Sequence, residues 1–304
     1  MPLGGRQVNV KPRLLDIIRS GNTLGEGVQW HDETETLWWT DIQSCLLYRY
    51  HLPSCQLSKY PTPERLCSFG FIKNKSEFIV AFARGFALYN PVSRDITWLI
   101  RPEGLGQGIR FNDGKVDRQG RFWAGTMVEE GDPLTRPAGN LYALDGLFTL
   151  NKRERGIGIS NGLCWSPKSD RLYFADSARR IIYNYEFDPD SGTISNRKIF
   201  VETGNGIFPD GADVDSDGCL WSAHWGAGQV VRYTPAGKRD LVLDLPVSQP
   251  TCVTFGGPRF EMLFITSAKE GLDGRDKEVN AGDVFVFQVG TSGLPACHFI
   301  QGNF

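Results

Sequence analysis

The sequence predicts an all-β fold, a six-bladed β-propeller built around a central channel. A turn of small or polar residues followed by an apolar pair recurs six times, at intervals of 41 to 50 residues. That interval is the length of one four-stranded blade. Glycines and prolines interrupt almost every window that a long helix would need, and the 304-residue chain has 35 glycines and 12% aromatic residues. This composition suits many short strands with tight turns.

Each copy of the recurring motif opens one strand of a blade. The copies read TETLWWTD, KSEFIVAF, QGRFWAGT, SDRLYFAD, DGCLWSAH and FEMLFITS. Their first apolar residues are Leu37, Phe78, Phe122, Leu172, Leu220 and Leu263. No linker-like segment breaks the chain, so we expect residues 1–304 to form one domain. The segment at about 12–19 is expected to close the last blade as its outer strand, which removes a free sheet edge.

The composition restricts the cellular compartment and the binding partners that we expect. The net charge of −2 gives no basic field for nucleic acid. Seven scattered cysteines without a CxxC pair indicate neither a zinc site nor a disulfide framework and favour the cytoplasm. No apolar run of about 18 residues predicts a membrane span. We expect a cytoplasmic monomer or weak homodimer with a small-molecule partner.

An acidic loop resembles the start of a calcium-binding EF-hand but predicts a hairpin turn. Asp213, Asp215, Asp217 and Gly218 give D-x-D-x-D-G, yet the twelfth position is His224 where an EF-hand needs glutamate. The residues that follow predict strand, turn and strand. Residues 215–218 are therefore interpreted as a turn, with Gly218 at positive φ.

Polar residues share one phase in four of the six repeats. They lie 10 to 12 positions before the apolar landmark and are Glu26, Arg110 with Asn112, Asn161 and Asp210. Equal phase in a propeller means equal height along the channel, so these side chains should converge. Two carboxylates with amide oxygens suit a hard cation such as Ca²⁺, Mg²⁺ or Mn²⁺. The alternative is that the polar residues only satisfy backbone groups at turns.

The chain resembles the regucalcin/gluconolactonase family, also called the senescence-marker-protein-30 family. The resemblance covers roughly residues 14 to 290 and is carried by GEGVQW, RFNDGKVDRQGRFWAGTMVEE, SNGLCWSPKSDRLYFADS and PDGADVDSDGCLWSAHWGAGQVVRYTP. It implies a six-bladed propeller with one divalent cation in the channel and hydrolysis of aldonolactones. Ca²⁺ is the first choice for the cation, with Zn²⁺, Mn²⁺, Mg²⁺ or Fe²⁺ as alternatives.

The resemblance also implies roles for particular residues. Glu26, Asn161 and Asp210 would ligate the metal, while Arg110, Asn112 and Glu130 would contact substrate hydroxyls or a metal-bound water. The cation would polarise the lactone carbonyl, and Asp210 would act as general base. A metal-bound hydroxide, merely oriented by Asp210, is the alternative. Hydrolysis of organophosphate esters and non-catalytic calcium binding are the competing functions, and the particular lactone stays open.

Overall fold

A computed structural model describes residues 11–272 and 278–302 of the chain, and it confirms the six-bladed β-propeller. The described residues form 24 strands and a short 3₁₀ helix, Ser177–Arg179. The strands are β1 (Arg13–Ile18), β2 (Gly25–His31), β3 (Thr36–Asp41), β4 (Leu46–His51), β5 (Gln56–Pro61), β6 (Leu66–Phe71), β7 (Phe78–Phe82), β8 (Gly85–Tyr89), β9 (Ile96–Ile100), β10 (Ile109–Val116), β11 (Phe122–Val128), β12 (Gly139–Leu144), β13 (Leu150–Ile157), β14 (Ser160–Trp165), β15 (Arg171–Asp176), β16 (Ile181–Asp188), β17 (Thr193–Glu202), β18 (Phe208–Val214), β19 (Leu220–Trp225), β20 (Gln229–Tyr233), β21 (Arg239–Asp244), β22 (Pro250–Gly256), β23 (Met262–Ser267) and β24 (Val284–Gln288).

Six antiparallel four-stranded sheets form the blades. Blades 1 to 5 take four consecutive strands each, from β2–β5 through β18–β21. Blade 6 combines β22, β23 and β24 with β1 on its outer edge. The first strands of the blades contact one another in the closed order β2, β6, β10, β14, β18, β22. Those six strands therefore line the central channel.

The repeated apolar landmark falls on the second strand of every blade. In five blades it is a leucine or phenylalanine with no exposed surface, and Phe78 of blade 2 is 7% exposed. Each of these side chains belongs to a cluster of buried apolar residues that its own blade shares with the preceding blade of the ring. Burying a residue of this size stabilises the fold by about 1.5–3 kcal/mol. The repeated apolar residue is therefore part of the core between the blades.

The acidic loop is a hairpin turn, as predicted. Asp215 Oδ1 accepts hydrogen bonds from the backbone of Asp217 and Cys219, and Gly218 has φ +81°. Asp215 Oδ2 accepts from the Trp221 indole at 2.9 Å. The same device recurs in blade 3, where Asp117 Oδ2 accepts from the Trp123 indole at 2.9 Å. The carboxylates thus tie each turn to a buried tryptophan.

Among the described residues, no helix is long and apolar enough to cross a membrane.

Candidate functional site

Every channel-lining strand has a register irregularity near its first residues. It lies between Glu26 and Gln29 in β2, and between Asn161 and Cys164 in β14. The other inner strands shift at the corresponding place, at 66–68, 111–114, 209–212 and 250–253. A bulge bends the strand and redirects its side chains. All of the predicted site residues except Glu130 sit at or next to these bulges, at one end of the channel.

The carboxyl groups of Glu26 and Asp210 are neighbours in the channel. Both residues are buried, and each group is close enough to influence the pKa of the other. Burial and the neighbouring Asp113 raise the pKa of Glu26 to about 8. Burial and the Glu26 carboxylate raise the pKa of Asp210 well above its ordinary value. Without a cation, the pair favours holding protons at neutral pH.

Asn161 joins this pair and is oriented by its neighbours. Its Nδ2 donates to Ser177 Oγ at 2.9 Å, and that hydroxyl donates to the Pro209 carbonyl at 2.6 Å. Asn112 Nδ2 donates to Asn161 Oδ1 at 3.0 Å. Asn161 is thereby anchored beside the backbone that carries Asp210.

Two glycines allow the inner strands to approach closely at the site. A Cβ on Gly162, which has φ +63°, would lie 3.0 Å from the Asp210 carbonyl oxygen. A Cβ on Gly211 would lie 2.5 Å from Cys252 Sγ. Each glycine follows a predicted ligand, so the backbone can bend there without collision.

Arg110 is held at the rim of the cluster by Glu129, the residue before Glu130. Its Nε donates to Glu129 Oε1 at 2.9 Å, and its Nη1 donates to Asn112 Oδ1 at 2.7 Å. Glu130 is exposed, with its backbone N–H bonded to the Gly108 carbonyl. A Cβ on Gly108 would lie 2.8 Å from the Glu130 Cβ. Both glutamates thus lie near the channel mouth, and Glu129 is the one that contacts Arg110.

Asp113 is a third carboxyl group at the site that the sequence reasoning passed over. It is buried, and its Oδ2 accepts from the backbone N–H of Leu163 at 3.1 Å. Burial raises the pKa of Asp113, and its charge in turn raises the pKa of both Glu26 and Asp210. The available signal was its position beside Asn112 in the motif RFNDG.

Further along the channel, Lys115 and Asp213 form a half-buried ion pair. Lys115 Nζ lies 2.9 Å from Asp213 Oδ1. Burial alone would lower the pKa of Lys115, but the Asp213 charge raises it overall. Both residues line a cavity of about 40 Å³ whose wall includes 294–297. The Lys115 charge also opposes the raised pKa of Asp113, and the Arg110 charge opposes that of Glu26, but burial outweighs both effects.

The residues of the cluster fit a hard divalent cation. Asp210 Oδ1 is buried and accepts no hydrogen bond within the described ranges. An unsatisfied buried carboxylate oxygen is costly, and a bound cation removes that cost. No group of three or more His, Cys, Asp or Glu side chains in the described part of the chain is arranged to hold a metal. A cation at this place would take the amide oxygen of Asn161 beside the two carboxylates.

The fold and the channel define a class of protein, a six-bladed propeller with a carboxylate and amide cluster on its axis. A family model described as SMP-30/Gluconolactonase/LRE-like region matches residues 24–269. The chain belongs to this family.

Its relatives match over almost their whole length. The L-arabinolactonase of Azospirillum brasilense is 35% identical over 282 residues, 91% of this chain and 92% of that protein. The 6-deoxy-6-sulfogluconolactonase of Pseudomonas putida is 35% identical over 84% of this chain and 86% of that protein. The crystal structure of the calcium-binding protein regucalcin from Agrobacterium tumefaciens superposes with a TM-score of 0.86 at 28% identity, covering 93% and 96% of the two chains.

Proposed function

We propose that this protein is a divalent-cation-dependent hydrolase that opens sugar lactones to aldonic acids. The observation that carries the proposal is the buried pair of Glu26 and Asp210, in which Asp210 Oδ1 accepts no hydrogen bond within the described residues. Glu26, Asp210 and the amide oxygen of Asn161 would hold the cation. The names of two related lactonases and of a calcium-binding neighbour support this assignment.

The surrounding side chains suit a polyhydroxylated substrate. Arg110 supplies hydrogen-bond donors, and Glu129 and Glu130 supply acceptors near the channel mouth. A site that must bind several hydroxyl groups needs both kinds, since an unmatched polar group there weakens binding. This lining favours a sugar lactone over an apolar ester.

Each residue has a defined task in the proposed reaction. When bound, the cation would polarise the lactone carbonyl and stabilise the oxyanion that forms on attack by water. Asp210 accepts the proton of the attacking water at the carboxylate oxygen that does not hold the cation, and it returns this proton to the ring oxygen as the C–O bond breaks, which gives the hydroxyl group of the aldonic acid. Arg110 holds the ring hydroxyls, so that the carbonyl carbon faces that water, and Asn112 orients Arg110.

The decisive experiment combines metal removal with a panel of lactones. Protein stripped with EDTA is assayed for acid release from five- and six-membered pentono- and hexonolactones, before and after addition of Ca²⁺, Mn²⁺, Mg²⁺ or Zn²⁺. We expect turnover only with an added cation. Full turnover by metal-free protein would refute the cation requirement, and no turnover of any lactone with any cation would refute the lactonase assignment.

A further inference from the structure

A chain of hydrogen bonds connects the channel rim to the candidate metal site. Arg65 forks onto the Glu129 carboxylate, with Nη1 at 2.5 Å from Oε1 and Nη2 at 3.0 Å from Oε2. Glu129 Oε1 also accepts from Arg110 Nε, and Arg110 Nη1 donates to Asn112. We propose that Arg65 is a positioning residue, which acts through Glu129 to set the orientation of the Arg110 guanidinium toward the substrate.

The geometry at Arg110 leaves one nitrogen available. Nε is bonded to Glu129, and Nη1 donates both to Asn112 Oδ1 and to the Phe111 carbonyl at 2.9 Å. No oxygen of the described residues accepts a hydrogen bond from Nη2. Because Nε and Nη1 are both hydrogen-bonded, the plane of the guanidinium is fixed. The direction in which Nη2 can donate is therefore fixed as well. A hydroxyl group of the lactone is the acceptor that this nitrogen would meet under the proposed function.

Glu129 needs a second partner to perform this role. Its side chain is 28% exposed, whereas that of Arg110 is 6% exposed. A partly exposed carboxylate with a single hydrogen bond would turn between rotamers, because one exposed ion pair contributes little to holding it. The Arg65 fork engages both oxygens of Glu129, and it is the largest cause of the lowered pKa of that carboxyl. Arg65 thus keeps Glu129 ionised and in one orientation.

Arg65 belongs to a different blade from the two residues that it is proposed to position. It lies between β5 and β6 at the start of blade 2, whereas Glu129 and Arg110 belong to blade 3. The contact therefore bridges two blades at the channel mouth. Arg84 forms a comparable pair with Glu64, the residue before Arg65, with Nη2 at 2.7 Å from Glu64 Oε2, but that pair does not contact Arg110.

This inference rests on the proposed function for its kinetic test, so a second test is independent of turnover. The Nε–H signal of Arg110 is followed by ¹⁵N NMR and assigned by its loss in Arg110→Lys. In Arg65→Ala we expect this signal to broaden or to exchange faster with water, since Glu129 is no longer held. In Arg84→Ala, the matched control, it stays unchanged.

The kinetic test separates substrate binding from the chemical step. Because Arg110 would contact hydroxyls in both the ground state and the transition state, Arg65→Ala should raise KM by about tenfold with kcat changed less than about twofold. Arg65→Lys, which keeps one contact, should recover part of this loss, and Arg84→Ala should leave KM unchanged. The affinity for Ca²⁺ should be the same in all three variants.

A double variant tests whether Arg65 acts through Glu129. Arg65→Ala combined with Glu129→Ala should have the KM of Glu129→Ala alone, because the second removal eliminates nothing further. Additive losses would mean that Arg65 contacts the substrate directly, which overturns the positioning role. An unchanged Arg110 signal in Arg65→Ala also overturns it. A wild-type protein inactive on every lactone, in which the Arg110 signal still responds to Arg65→Ala, refutes only the proposed function.

Discussion

Asn112 donates from Nδ2 to Oδ1 of Asn161 at 3.0 Å, although the two residues belong to different blades. The same Nδ2 donates to the Ser160 carbonyl at 3.0 Å. Asn112 therefore fixes the orientation of the Asn161 amide, whose oxygen is a proposed metal ligand. Groups that orient a ligand in this way typically change metal affinity by 10- to 100-fold when they are lost.

Replacement of Asn112 should weaken cation binding. In Asn112→Ala, the Asn161 amide loses its donor, and we expect the Kd for Ca²⁺ to rise about tenfold in calorimetric titrations of stripped protein. Asn184→Ala is a suitable control, because Asn184 lies on β16 of blade 4, two strands out from the channel. An unchanged Kd in Asn112→Ala would contradict the orienting role.

Asp210→Asn should nearly abolish lactone hydrolysis while the propeller persists. The amide retains the shape of the side chain but takes no proton from water, so we expect turnover to fall about 10²- to 10⁴-fold. Circular dichroism should show an intact fold. The measurement is acid release at saturating cation, with the exposed Asp190→Asn as control. Full activity in Asp210→Asn would exclude Asp210 both as the base and as an essential ligand.

The stability of chelated protein should fall as the pH rises. The folded protein keeps a proton on Glu26 up to about pH 8, whereas the unfolded chain releases it near 4.5. The folded state then binds more protons between these values, so the free energy of unfolding decreases as the pH rises through this window. Thermal melts in EDTA between about pH 6.5 and 8 should show a falling Tm.

Two comparisons check the origin of this decrease of Tm with pH. Excess Ca²⁺ should make the decrease smaller, because the cation favours the ionised carboxylates. Glu26→Gln should reduce it in the presence of EDTA, since the titrating group is gone. A Tm that rises with pH in EDTA, or an undiminished slope in Glu26→Gln, would argue against a buried protonated pair.

A second pH effect should arise from His224, independently of any cation. This ring is fully buried, with Nε2 3.3 Å from the Tyr233 hydroxyl, and burial lowers its pKa to about 4. The unfolded chain takes up the proton below about pH 6.5, so the free energy of unfolding falls as the pH drops from 6.5 to 4. Acid melts of His224→Gln should show a smaller loss than wild type, while the partly exposed His51→Gln should not. Identical acid curves for wild type and His224→Gln would exclude this origin.

Much of the fold was predictable because one physical requirement repeats in every blade. The second strand must fill the space between two sheets, so an apolar pair returns at Leu37, Phe122 and Leu220 with a period the sequence makes visible. Residues at a fixed distance before that pair then fall on the channel-lining strand. Glu26, Asn161 and Asp210 were identified in this way, and their proposed roles await the tests above.

The other contacts of the site depend on departures from regular structure. Strict alternation along β10 would place Asn112 and Asp113 on opposite faces, but the bulge between Phe111 and Gly114 redirects both. Glu129 and Glu130 follow the last residue of β11, where no strand periodicity decides which of them faces Arg110. Arg65 comes from a connection between blades. The spacing of residues in the sequence therefore could not predict the contacts of these residues.

The seam between β1 and β24 has a consequence for biosynthesis. Ser20 N–H bonds to Asp283 Oδ1 across 263 positions of sequence. A nascent chain emerging from the ribosome can assemble blades 1 to 5 one after another, yet the strand at 13–18 must wait for its partner until nearly all of the polypeptide has been synthesised. Long-range pairing of this kind is slow, so closure of the ring is expected to be a late step of folding. Substitutions at the seam should therefore delay folding more than equally buried substitutions within a single blade.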